Sequence, residues 1–146
     1  MELNLRKAVR NAIFAEESAR SLYVALESYS KDERTKKFFG KMAAAELKHI
    51  EIIESFAAEN KIEPSEEVDS EFALFETASE DYKFDLSDPH NAIGAAITAE
   101  IKAKNGYEDY AAKSEGDVKL FFLKMASFEE GHYKSLLKMR ERYSSG

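Results

Sequence analysis

The sequence predicts an all-α fold, a four-helix bundle made of two antiparallel helix hairpins that a long crossover joins. Three observations predict it. Apolar residues recur alternately three and four apart along four long stretches, the spacing that puts a stripe down one face of a helix. Only two Pro and six Gly interrupt 146 residues, which favours long helices. The third is an internal repeat: Phe-Phe-x-Lys-Met-Ala runs from Phe38 to Ala43 and again from Phe121 to Ala126. Behind it, Glu46-Leu47-Lys48-His49 returns eighty-three residues later as Glu129-Glu130-Gly131-His132. Upstream, Ala12-Ile13-x-x-Glu16 with Tyr23 is matched by Ile97-x-x-Glu100 with Tyr107, at an offset of eighty-four. One helix pair is therefore written twice, and the absence of a shorter period argues against a solenoid.

The first helix is predicted from about Leu3 to Tyr29, with Leu5, Val9, Ala12, Glu16, Ala19, Tyr23 and Leu26 on its buried stripe. Ser30 and Glu33 have the spacing of a capping box for the second helix, which runs to about Glu59 and buries Phe39, Met42, Glu46, His49, Ile53 and Phe56. Residues 60 to 87, with Pro64 and mixed acidic and aromatic composition, are too long for a tight helical hairpin and form the crossover, with short helical turns expected around Phe72 to Phe75. Asp88-Pro89 starts the third helix, an N-cap followed by the residue that best tolerates the first helical position. Its stripe reads Ile93, Ala96, Glu100, Ala103, Tyr107 and Tyr110, and it ends near Ser114 to Gly116. Asp117 is expected to cap the fourth helix, whose stripe is Val118, Phe122, Met125, Glu129, His132, Leu136 and Met139.

Length fits one domain over residues 1–146. With no Cys, the chain has no disulfide, thiolate zinc site, iron–sulfur cluster or nucleophilic thiol. The N-terminus does not read as a signal peptide, and no apolar run approaches the roughly 18 residues of a membrane span, so a soluble, cytoplasmic protein without a membrane partner is expected. A net charge of −7 disfavours nucleic acid and draws cations toward the surface.

The stripes place four carboxylates, Glu16, Glu46, Glu100 and Glu129, on the buried faces of all four helices. A buried bare carboxylate costs several kcal/mol or takes up a proton, and four together call for cations. Two divalent ions balance the four charges, and His49 and His132, each three residues beyond a Glu on the same face, bind while neutral. Carboxylate with imidazole suits iron or manganese, with zinc able to occupy the same groups; iron is expected because it supports redox chemistry. Seven residues nearly complete two helical turns, so Tyr23 lies above Glu16 and Tyr107 above Glu100, where each phenol either donates to a ligand carboxylate or simply packs in the core. Phe38, Phe39, Phe121, Phe122, Met42 and Met125 read as core. Glu17 and Glu130 fall off the apolar spacing and read as solvated, His90 as a surface residue, and Glu66, Glu67, Asp69 and Glu71 as a solvated acidic run.

The combined pattern resembles the diiron-carboxylate domain of the rubrerythrin family, within the ferritin-like superfamily. The resemblance spans the four helices and implies a ferritin-like bundle. It also implies that Glu16 and Glu100 are the single-carboxylate ligands, that Glu46 with His49 and Glu129 with His132 are the paired ones, and that Tyr23 and Tyr107 match the family's ligand-supporting tyrosines. Two departures stand out. Full rubrerythrins add a rubredoxin domain with four cysteines, and this chain has none, so its electron donor is expected to be a separate, rubredoxin-like molecule. The family's additional helix-three Glu, three residues after the first, is Ala103 here, leaving a symmetric set closer to bacterioferritin's. The expected function is oxidation of ferrous iron, or reduction of hydrogen peroxide or dioxygen, at a diiron centre. The alternatives are a non-catalytic iron-binding or iron-sequestering protein and a metal-free interaction bundle. By family, a homodimer is expected; a closed storage cage is not, because little sequence follows the fourth helix.

Overall fold

The computed structural model describes residues 3–67 and 87–144, and among them every regular element is an α-helix. The helices are α1 (Leu5–Tyr29), α2 (Glu33–Glu59), α3 (Pro89–Ala112) and α4 (Gly116–Ser144). Packing is closest inside the two hairpins, α1 with α2 and α3 with α4. Between hairpins, α1 lies beside α3 and α2 beside α4. The contacts fix their directions. Stepping forward on α1 from Glu16 to Tyr23 goes with stepping back on α3 from Tyr107 to Glu100, so α1 and α3 are antiparallel. Likewise His49 faces Phe128 while Phe56 faces Phe121, so α2 and α4 are antiparallel. It follows that α2 and α3 run the same way, which requires a connection spanning the bundle.

That connection starts along α1. The Arg6 Nε donates to the Glu63 carbonyl at 2.8 Å, the Arg10 Nε to the Ser65 carbonyl at 2.5 Å, and the Ser65 N–H returns to the Arg6 carbonyl at 3.0 Å. The helical turns expected at Phe72 to Phe75 lie outside the described residues.

Helix ends follow local chemistry, with two corrections. Ser30 and Glu33 do not form a capping box. Asp32 is the N-cap of α2, accepting from the Thr35 N–H at 2.9 Å, while Ser30 closes α1 by directing both its N–H and its Oγ at the Leu26 carbonyl. A Ser that already serves the preceding helix is not free to cap the next. Asp117 is not a cap either, for α4 begins at Gly116 and Asp117 stands in its first turn, where a carboxylate still complements the helix dipole. Gly116 has φ +62°, a left-handed conformation that glycine adopts without steric cost. The expected start at Asp88-Pro89 is found, the Asp88 carboxylate accepting from the His90 N–H. Asp32, Thr35 and Tyr143 also form a hydrogen-bonded cluster that ties the end of α4 to the start of α2.

The core lies along the bundle axis, where Val9, Leu26, Phe39, Ile53, Ile93, Phe122, Met125 and Leu136 are closed to solvent. Leu5, Phe56 and Val118, near the bundle ends, are only partly covered. No described helix is long and apolar enough to cross a membrane.

Candidate metal centre

The same stripes that form the core carry the acidic residues inward. Exposure is 1% at Glu16, 0% at Glu46, 2% at Glu100 and 1% at Glu129, so all four carboxylates sit in the dry middle of the bundle. His49 and His132 aim their Nδ1 atoms at them. His49 Nδ1 lies 3.4 Å from Glu16 Oε2, 3.5 Å from Glu46 Oε2 and 3.7 Å from Glu129 Oε1. His132 Nδ1 lies 2.9 Å from Glu46 Oε1 and 3.2 Å from Glu100 Oε1.

Two overlapping groups result, each with its ligand-type atoms within 4.8 Å of one another. Glu16, Glu46, His49 and Glu129 form one; Glu46, Glu100, Glu129 and His132 form the other. Glu46 and Glu129 belong to both. Each group has its own Glu and His, and the shared carboxylates lie between them, an arrangement able to hold two ions side by side. The donor set fits such ions. Among the described residues, Glu16 Oε2, both oxygens of Glu46, His49 Nδ1, Glu100 Oε2 and Glu129 Oε1 are buried without a directed hydrogen bond, although buried polar atoms are otherwise nearly always paired. Cations would satisfy all of them.

The phenols reach across the bundle rather than along their own helices. Tyr23 on α1 donates to Glu100 Oε1 at 2.5 Å, and Tyr107 on α3 donates to Glu16 Oε1 at 2.9 Å. Burial, reinforced by the facing carboxylate, raises both phenols well above their ordinary range, so they stay protonated and act as donors. Each bond orients one of the unshared carboxylates. Two contacts are not evident in the sequence pattern. Phe128 stacks on His49 with ring centroids 4.6 Å apart, and the buried Asn11 donates to the Tyr110 hydroxyl at 2.9 Å. Phe128 immediately precedes Glu129, which is the one signal that could have placed it at the site.

The neighbours of these residues point elsewhere. Glu17 is exposed, and Glu130 turns to Lys104 at 2.8 Å. His90, Glu66 and Glu67 are exposed; Asp69 and Glu71 lie outside the described residues. Ala103 is buried beside the cluster's helix stripe and offers no ligand atom.

Without metal, the cluster cannot carry four charges. Burial, with the charge on Glu16 adding to it, pushes Glu46 and Glu129 well above the usual carboxylate range. Burial also opposes ionisation of Glu16, but close contacts with the Glu46 carboxyl, His49 and the Glu129 carboxyl outweigh it and bring that group down to about 2. The signs set a pH dependence. A carboxyl raised on folding stabilises below its unfolded value and loses that stability as pH climbs, whereas Glu16 loses its contribution only as pH falls from about 4.5 toward 2. The metal-free protein is therefore expected to melt lower as pH rises above about 5. Metal displaces those same protons, so the gap in melting temperature between metal-loaded and chelator-treated protein should widen with pH. Thermal scans across that range check it, and a constant gap would contradict the protonation of Glu46 and Glu129.

A helical bundle that gathers one Glu from each of two helices and a Glu-x-x-His from each of the others has the ferritin-like architecture, with a buried carboxylate and imidazole cluster that could hold metal. The chain belongs to the rubrerythrin family: the family model described as Rubrerythrin matches residues 7–87 and 91–146. Searches of curated proteins and of solved structures return no match. The rubrerythrin family binds diiron, and the buried Glu and His cluster of this chain could bind metal.

Proposed function

We propose that the protein is a diiron-carboxylate oxidoreductase that oxidises ferrous iron with hydrogen peroxide or dioxygen, and that a separate electron donor returns it to the ferrous state. Glu16, Glu46, His49, Glu100, Glu129 and His132 would hold the ions. The observation carrying this reading is the sharing of Glu46 and Glu129 between two otherwise separate Glu and His groups. When bound, two ferrous ions supply two electrons, enough to reduce one hydrogen peroxide with two protons to two waters.

The chain's own groups do the rest. Glu46 and Glu129 hold protons in the metal-free protein and give them up as ions enter. Tyr23 and Tyr107, kept protonated by burial, fix Glu100 and Glu16 by hydrogen bonds that a change of charge at the carboxylate strengthens or weakens. Phe39 stacks on Tyr23 and Phe122 on Tyr107, which keeps bulk water from these bonds. These 146 residues hold no cysteine with which to build a rubredoxin-type site, so the electrons would come from a group outside them. A rubredoxin-like protein fits that role.

Mixing protein loaded with two equivalents of ferrous iron with hydrogen peroxide should consume ferrous iron far faster than the same iron free in buffer. Oxidation no faster than free iron would overturn the proposal. The closed burial of all four carboxylates also suits a second reading, in which the site sequesters or simply holds iron. Repeated turnover with a rubredoxin-like donor and peroxide supports the first reading; a single oxidation followed by retained ferric iron supports the second.

A further inference from the structure

The internal repeat is faithful at the acidic residues and unfaithful beside them. On the face between α2 and α4, Phe128, His49 and His132 form a stack, with centroids 4.6 Å apart in the first pair and 5.2 Å in the second. Lys124 Nζ lies 5.8 Å from the Phe128 ring. The repeat relates His49 to His132, and it relates Phe128 to Ala45. In an antiparallel pair, four residues back on one helix meet four residues forward on the other. Because His49 faces Phe128, Ala45 faces His132. The next position repeats the difference. Ile52, partly buried against the core and three residues beyond His49, corresponds to Ser135, which is exposed and three residues beyond His132.

An aromatic ring thus covers His49 with an isoleucine one turn further on, while alanine and serine stand at the equivalent places around His132. Exposure follows: the His49 side chain is 8% accessible and that of His132 14%.

We infer that, among the described residues, the carboxylate pocket is entered on the side of His132, where Ala45 and Ser135 stand in place of larger side chains, and that Phe128 closes the opposite side over His49. Small solutes, divalent cations and hydrogen peroxide among them, pass His132 and the Glu100 group before reaching the Glu16 group. The inference deepens the proposed function by assigning the path to that site, and it rests on that reading only for what passes along it.

Diethylpyrocarbonate, which acylates accessible histidines, tests it on chelator-treated protein with peptide mapping by mass spectrometry. The exposed His90 supplies an internal rate standard. His132 should react faster than His49. Ala45→Phe should slow His132 several-fold relative to His90, and Phe128→Ala should speed His49. Ala45→Leu serves where the larger ring disturbs folding, judged by helical circular dichroism. Equal reaction of the two histidines in the natural protein, or no protection of His132 in a folded Ala45 variant, overturns the inference. Cobalt uptake is then followed by its visible absorption: Ala45→Phe should load more slowly to the same final stoichiometry, and an unchanged loading rate overturns the path. A protein that takes up no metal at all would defeat the proposed function, while the histidine rates would still decide the access route.

Discussion

Stripping metal from the loaded protein with a chelator is expected to lower its melting temperature by roughly 10 to 20 °C. The size follows from binding linkage: an ion present at a hundred times its dissociation constant adds about 2.7 kcal/mol, two such ions about twice that, and a chain of this length shifts by about 2 to 4 °C per kcal/mol. The direction follows from the site. Within the cluster, six buried polar atoms on five residues lack directed partners, and without metal the carboxylates relieve their repulsion by taking up protons. Scanning calorimetry with and without EDTA reads the shift, and a melting point indifferent to chelator would show that the pocket holds nothing.

Glu46→Gln is expected to act in opposite directions on the two forms of the protein. Metal-free, the variant should be more stable near neutral pH, because a neutral amide of the same shape replaces a carboxyl that burial holds above its ordinary range. Loaded, it should lose affinity for both ions, since Glu46 belongs to both groups. Glu16→Gln and Glu100→Gln should differ from it, each weakening one ion and sparing the other. Titration calorimetry with cobalt separates these outcomes: one site lost for the unshared carboxylates, both weakened for Glu46. Loss of a single site in Glu46→Gln would show that this carboxylate is not shared.

Much of this was legible in the sequence because the bundle and the cluster obey one period. The stripes that bury Val9, Phe39, Ile93 and Phe122 also carry Glu16, Glu46, Glu100 and Glu129, so predicting the core predicted which acids turn inward. Helix ends were less readable because several side chains have two possible employers. Ser30 closes α1 instead of opening α2. At the end of α2, Lys61 takes φ 55° so that its own N–H meets the Ala58 carbonyl and the Ile62 N–H meets the Ala57 carbonyl, a closure usually marked by glycine and here without that signal. The tyrosines show a different limit. Helical spacing relates Tyr23 to Glu16 on its own helix, but the phenol is long enough to cross to Glu100, and only the antiparallel register of α1 and α3 reveals it. Asn11 and Tyr110, paired ninety-nine residues apart, lie beyond any local pattern.

The parallel run of α2 and α3 has a kinetic side. Each hairpin folds around contacts close in sequence, whereas bringing the hairpins together must first close the loop between α2 and α3, an entropic cost that the later contacts only then offset. The surfaces that meet in that step carry the four acids, three of the six clustered groups coming from each hairpin. Docking of the hairpins brings these acids together against their mutual repulsion, and it is the same event that assembles the pocket.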